Sequence, residues 1–354
     1  TDTPASDTSL CLLGSAISKP AHYGVSLGQT RHDPARAPPP PTSAVTSPVL
    51  LRTHRKARTP MDVLFSQLFA GLSLGSVLLL AALGLALTFG QMGVINMAHG
   101  EFMMAGAYTA FVVQGVVGNA GLSLLVSLPL GFLVGGLLGL LLEATLIHRM
   151  YKRPLDTLLV TWGVALVLQQ VARDVFGAPN VDVRAPAWLS GAVDLFGLAV
   201  PRTRVFILAL AVVAVVALAV VLKVTPLGRR IRAVVQNRDL AEASGVSTRA
   251  TDRLTFFVGS GLAGIAGVAL TLLGSIGPTL GTSYVVDAFL VVVAGGIGQI
   301  KGTVVAAFAL GLLQATFEYS TTASIAKVLV FVVIVVFLQV RPQGLVSVRT
   351  RSLA

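Results

Sequence analysis

The sequence predicts an all-α fold, a polytopic transmembrane helical bundle of 8–9 membrane segments, and three observations predict it. Hydrophobic residues make up 54% of the 354-residue chain, charged residues 12%, and the mean hydropathy is +0.82. Several apolar runs reach the ~20 residues that cross a bilayer as helix. The basic residues behind the formal net charge of +11 gather in short connections between those runs, where membrane orientation places them. The lipid bilayer is therefore the expected partner, and nucleic acid is not. Cys11 is the single cysteine, which excludes an internal disulfide, and no Cys/His group has metal-ligand spacing. Neither a metal nor another cofactor is expected.

Residues 1–60 stand apart from the rest. They hold nine of the 17 prolines, including the run at 38–41, and no apolar stretch of spanning length. Such a segment buries too little apolar surface to fold. It reads as a disordered or extraneous extension, with Met61, just before the first hydrophobic run, as the natural start and 61–354 as the membrane domain.

The apolar runs follow in order. The first, 64–89, carries Gly71 and Gly75 at a spacing suited to close helix packing, and the third, 122–147, carries Gly131 and Gly135 likewise. Between them lies the second, 102–117. A basic connector at 148–154 precedes the fourth, 155–172, which holds the polar pair Gln169 and Gln170. The stretch 173–204 is nearly neutral and reads as external, with Trp188 suited to an interface. The fifth run, 205–222, leads into the connector 223–253, whose seven basic residues against three acids make it cytoplasmic. The sixth, 254–276, presents Gly259, Gly261, Gly264 and Gly267 as a face for close approach; the seventh, eighth and ninth are 285–300, 303–317 and 325–340.

Two interruptions carry the candidate site. The stretch 89–101 sets Gln91, Asn96, His99 and Glu101 between uncharged runs. Ionisable groups there are costly and mark pathways. Gly90, Gly93 and Gly100 would let the backbone unwind, which is tolerated at membrane depth only where it faces protein or a water-filled cavity. The second interruption, Gly295-Gly296-Ile297-Gly298, has a similar construction in the other half, and paired discontinuities point to a midplane pathway. Both also fit ordinary tight turns. The topology count leaves Asn96, His99 and Glu101 at either the cytoplasmic mouth or the midplane. The isolated acids Glu143, Asp287 and Glu318 read as snorkelling or packing residues.

The 223–253 connector has apolar residues at 227, 231, 234 and 235, a helical spacing, followed by a short helix that ends at Gly245. Such an amphipathic face suits docking on a cytosolic partner. No GxxxxGK[ST] phosphate loop and no HExxH occurs, so ATP hydrolysis and zinc-dependent hydrolysis are not expected of this chain.

The segments Gly71-Leu72-Ser73-Leu74-Gly75-Ser76, 89–101, and Leu227-Gly228-Arg229-Arg230-Ile231-Arg232-Ala233-Val234-Val235-Gln236-Asn237 resemble the permeases of branched-chain amino acid type ABC importers. The resemblance runs from about residue 61 to Arg341-Pro342-Gln343-Gly344-Leu345. Within that family, Ile95-Asn96-Met97-Ala98-His99-Gly100-Glu101, Leu158-Leu159-Val160-Thr161-Trp162-Gly163, Leu168-Gln169-Gln170 and Ala185-Pro186-Ala187-Trp188-Leu189-Ser190-Gly191 are most similar to the urea-transporting branch. The resemblance implies a multi-pass protein of the bacterial inner membrane that transports and is not itself an enzyme. It would pair with a second homologous permease, two cytosolic ATP-binding subunits that hydrolyse ATP, and a periplasmic solute-binding protein. Arg232, Asn237, Glu242, Ala243 and Gly245 would form the ATPase-coupling loop, shortened to one residue between the Glu-Ala pair and the glycine. Urea or a short amide is the expected solute and branched-chain amino acids the alternative. From another class, a secondary transporter or a facilitative urea channel would act without ATPases.

Overall fold

The computed structural model describes residues 60–346, apart from 152, 196 and 197. The expectation for the proline-rich extension falls outside the described residues. Eleven α-helices are described: α1 (Pro60–Met92), α2 (His99–Val117), α3 (Ala120–Thr145), α4 (Pro154–Phe176), α5 (Arg202–Val224), α6 (Pro226–Gln236), α7 (Arg238–Ala243), α8 (Thr248–Leu270), α9 (Leu280–Gly295), α10 (Ile300–Ser320) and α11 (Ala323–Val340). The nine apolar runs correspond to all of these except α6 and α7. Seven helices are long and apolar enough to cross a membrane: α1, α3, α4, α5, α8, α10 and α11. The remaining two apolar helices are the 19-residue α2 and the 16-residue α9. One small hairpin, β1 (Ala192–Leu195) with β2 (Leu198–Pro201), lies in the 173–204 stretch.

Two helices form the centre. Within their most apolar stretches α1 and α8 are each 72% buried inside the chain, whereas α4, α5 and α11 are 17–28% buried. The reason is backbone contact through glycine. A Cβ on Gly264 of α8 would overlap the Gly131 carbonyl of α3, one on Gly267 would overlap the Met103 carbonyl of α2, and one on Gly259 would press on Thr88 and the Gly84 carbonyl of α1. Gly71 and Gly75 of α1 meet Leu312 and Phe308 of α10, and Gly311 of α10 meets the Gly71 carbonyl in return. Each small-residue face named from the sequence is thus used for close packing, which is how helices associate where solvent supplies no hydrophobic drive.

The first glycine interruption behaves differently from expectation. Only Gly93 unwinds the chain, with φ +65°. Gly90 is inside α1, where it meets the Gly298 backbone, and Gly100 is inside α2, against the Gly281 carbonyl. Side chains are too large for those contacts, so helix continues where unwinding was expected.

The elements agree on which end is cytoplasmic. Gln91 at the foot of α1, the basic connector around His148–Arg153, and Arg238 of α7 surround one cavity of about 760 Å³. The backbone of Leu345 and Val346 bonds to Ala294 and Gly295, beside Gly298 and hence Gly90. All the basic connectors therefore gather at one end, as the positive-inside rule requires.

Replacing Gly264 by Val is expected to cost at least ~2 kcal/mol, since overpacking against a backbone carbonyl cannot relax by rotamer change. Gly163→Ala on α4, where an added Cβ meets nothing within 4 Å, should stay within about 0.5 kcal/mol. Reversible SDS unfolding of the two purified variants would measure both.

Candidate functional site

The chain leaves α1 at Met92 and climbs back into the bundle before α2 begins. His99 Nε2 lies 3.1 Å from the carbonyl of Ala81. Ala81 is ten residues before Gln91 on α1, roughly 15 Å from the cytoplasmic end at 1.5 Å per residue. Two further helices give an independent depth. Glu101 accepts a 2.9 Å bond from Gln169 and lies 3.4 Å from the Thr282 hydroxyl. Gln169 is 15 residues into α4 from Pro154, and Thr282 is 13 residues short of the end of α9 at Gly295. Both counts set the cluster roughly 20 Å from the cytoplasmic ends, inside a hydrocarbon core about 30 Å thick. The polar break therefore reaches membrane depth.

The four polar residues of this stretch have different surroundings. Asn96 is buried and its Oδ1 accepts from Ala98 N at 3.0 Å, closing the turn that starts α2. His99 is fully buried between α1 and α2 and ties the two together. Gln91 lies at the cytoplasmic end, donating to Asp252 at 2.9 Å. Glu101 borders a second cleft, distinct from the cavity that Gln91 lines. Its Oε1 receives Gln169, which also bonds Thr282 Oγ1 at 2.7 Å, while Oε2 has no hydrogen-bond partner among the described residues. The cleft, about 490 Å³, lies between α2, α3 and α4. Gln169 and Thr282 are the members of this cluster that the sequence reading did not assign. Gln169 carried a signal, an amide inside an apolar run; Thr282 carried none.

Gly295, Gly296 and Gly298 do not meet this cluster. Gly295 abuts Gly302, Gly296 (φ +100°) abuts the segment 343–346, and Gly298 (φ +74°) abuts Gly90. The two glycine interruptions thus touch at the cytoplasmic end, backbone on backbone.

A second polar assembly lies at that end. Asp252, buried at the start of α8, pairs with Arg238 of α7 at 2.5 Å and receives Gln91 of α1. The Arg238 guanidinium lies 4.8 Å over the Tyr151 ring, and Tyr151 donates to Glu143 of α3 at 2.7 Å. Burial pushes the Tyr151 pKa well above its ordinary value, so the phenol stays a neutral donor. Arg253 of α8 closes the chain on Glu143 at 3.4 Å. Glu143 is thus held inside the fold, Oε1 by the Tyr151 hydrogen bond and Oε2 at ion-pair distance from Arg253; it packs rather than snorkels, because Tyr151 and Arg253 come to it. Of the residues expected to form a coupling loop, Asn237 caps α7 through Leu240 N at 2.9 Å, and Arg232 holds the Leu222 carbonyl at the end of α5. Glu242, Ala243 and Gly245 are exposed, and Gly245 has φ +83°.

A model of the family described as branched-chain amino acid transport system / permease component matches residues 67–338. The chain belongs to that family. It is a multi-pass permease subunit of an ABC importer in the inner membrane. This permease is 28% identical over 299 residues to the high-affinity branched-chain amino acid transport system permease protein LivH of Escherichia coli K12, covering 79% of the permease and 94% of that relative. It is 27% identical over 296 residues to the corresponding protein BraD of Pseudomonas aeruginosa, covering 79% and 95%. It is also 27% identical over 277 residues to the ribose import permease protein RbsC of Escherichia coli K12, covering 72% and 79%. No solved structure matches the permease.

Asn96→Ala in the permease is expected to cost ~2–3 kcal/mol, because it leaves the buried Ala98 N–H without its acceptor. The same reversible SDS unfolding would measure it, with the CD spectrum unchanged.

Proposed function

We propose that this permease forms the membrane path of an ATP-driven importer for branched-chain amino acids. It works with a second homologous permease, two cytosolic ATP-binding subunits and a periplasmic solute-binding protein. The sequence alone pointed to urea or a short amide. Relatives named for branched-chain amino acid transport cover nearly the whole membrane domain, and none of those named above is a urea permease, so the aliphatic amino acids become the first choice of solute.

The observation that carries ATP coupling is the wiring of the exposed corner at Glu242, Ala243 and Gly245. Arg238, at the start of the same short helix, holds the buried carboxylate of Asp252 on α8, and Asp252 holds Gln91 on α1. A push on α7 is therefore delivered to the two most buried helices of the bundle. A buried carboxylate with a charged partner resists separation, because breaking the pair strands a charge. A facilitative channel has no need of such a linkage.

Proteoliposomes holding the whole assembly should accumulate labelled leucine only with ATP, and should not accumulate urea. ATP-independent flux through this permease alone would overturn the importer. Asp252→Asn and Arg238→Met should lower uptake at least about tenfold while ATP hydrolysis stays within about twofold, as expected for loss of a ~1–3 kcal/mol coupling. Parallel loss of hydrolysis and uptake would instead mean loss of docking.

A further inference from the structure

Resting on the importer reading, we propose that the cleft between α2, α3 and α4 is a transient solute subsite that takes an aliphatic amino acid, its ammonium on Glu101 and its side chain along the apolar walls. Four features of the structure lead there.

The first is the unfinished carboxylate. Glu101 is 1% exposed, and a buried acceptor left without a partner is costly. One oxygen is held by Gln169, near Thr282, which fixes the group's orientation. The other oxygen lacks a donor, and an ammonium supplies three. The second is the wall. Met104 and Tyr108 of α2, Val134 and Leu138 of α3, and Leu168 and Val171 of α4 border the cleft, and Glu101 is the only ionisable carboxylate or base among its lining residues. A volume of about 490 Å³ falls in the ~300–1,000 Å³ range of small-molecule sites, which pair apolar walls with a few placed polar groups. Urea would use the carboxylate and leave the walls unused.

The third is a positive charge near Glu101. Arg173, four residues beyond Gln169 on α4, lies within electrostatic range of Glu101 but forms no ion pair among the described residues. An amino acid, unlike a simple amine, carries a carboxylate that such a charge attracts. The fourth is how α4 is attached. Beside the apolar packing of Leu168 and Ala172 on α2, it is tied at three levels by polar or aromatic contacts: Thr161 with Met97 N at 3.1 Å, Gln169 with Glu101, and Phe176 stacked on Tyr108 at 4.3 Å. No glycine of α4 makes the backbone contacts that lock α8. The wall that carries Gln169 can therefore give way without breaking the central packing, which a subsite that must also release its solute requires.

The test uses the whole assembly in proteoliposomes, with labelled leucine and alanine as probes. Glu101→Gln should lower leucine uptake at least about tenfold, with ATP hydrolysis within about twofold of wild type. Because that variant could fail to fold, Val134→Phe is read beside it. It narrows the wall without touching the carboxylate and should shift the ratio of leucine to alanine uptake at least about tenfold toward alanine, the scale of discrimination by apolar volume. In a Cys11→Ser background, Val171→Cys should react with a maleimide more slowly when leucine is present, and urea should not protect it. Wild-type accumulation of leucine with an unchanged leucine-to-alanine ratio in Val134→Phe, or labelling at 171 indifferent to leucine, would overturn the subsite and leave the importer standing. The second result is what a lipid-filled groove would give. A wild-type assembly that accumulates no leucine would overturn both.

Discussion

The closeness with which α8 approaches α1, α2 and α3 governs the rest of this structure. Three helices reach its backbone because Gly259, Gly264 and Gly267 have no side chains to keep them away. Dispersion falls steeply with separation, so backbone contact gives the bundle a stiffness that larger side chains would not supply in lipid. Ser260 continues the same face, lying against Gly135 and Gly139 of α3. The central unit is thus α1, α2, α3 and α8, and the other helices are added around it.

That packing explains where the polar groups can be. Gly84 of α1 faces both Gly259 and the His99 ring, so the start of α2 is held in the bundle by the same contact that sets α1 on α8. Asn96 then satisfies the Ala98 amide in the turn at 93–98, and His99 ties the start of α2 to the Ala81 carbonyl of α1. In hydrocarbon an unpaired carbonyl or amide costs several kcal/mol, so a chain that re-enters the membrane needs side chains of this kind. Only after the turn is closed does a polar group, Glu101, become available for something else.

The fold is legible in the sequence to a large degree, and the site only in part, for a physical reason. Apolar runs, basic connectors and glycine spacings are local patterns, and each corresponds to a helix or a contact in the structure. Gly90 and Gly100 were misleading because a glycine that permits unwinding and one that permits close approach are the same residue; the partner decides, and here it is Gly298 or Gly281, about 180 positions or more away. The pairing of Glu101 with Gln169 and Thr282, and of Asp252 with Arg238 and Gln91, joins residues on different helices in the same way. Single acids in apolar runs announce that a partner exists without naming it. Glu143 is the clearest case: its position reads as the end of a helix, and only the return of Tyr151 and the arrival of Arg253 turn it into part of a network.

The two polar assemblies lie roughly 20 Å apart in depth, and the same helices connect them. Asp252 and Gln91 hold the cytoplasmic ends of α8 and α1, while Gly259 and Gly84 bring those helices together at the level where α2 begins. A displacement imposed at α7 cannot be absorbed between α1 and α8, where backbone meets backbone, and close-packed interiors do not deform continuously. It must appear where attachment is looser. α4 is the candidate: it joins the core through a few polar and aromatic contacts and the side chains of Ala165, Leu168 and Ala172, without backbone-on-backbone contact, and it carries Gln169, the residue that holds Glu101 in place. A rigid centre and a polar-tethered wall are complementary requirements. In the proposed coupling, the first would transmit movement from the cytoplasmic face, and the second would convert it into a change at the one carboxylate that borders the cleft.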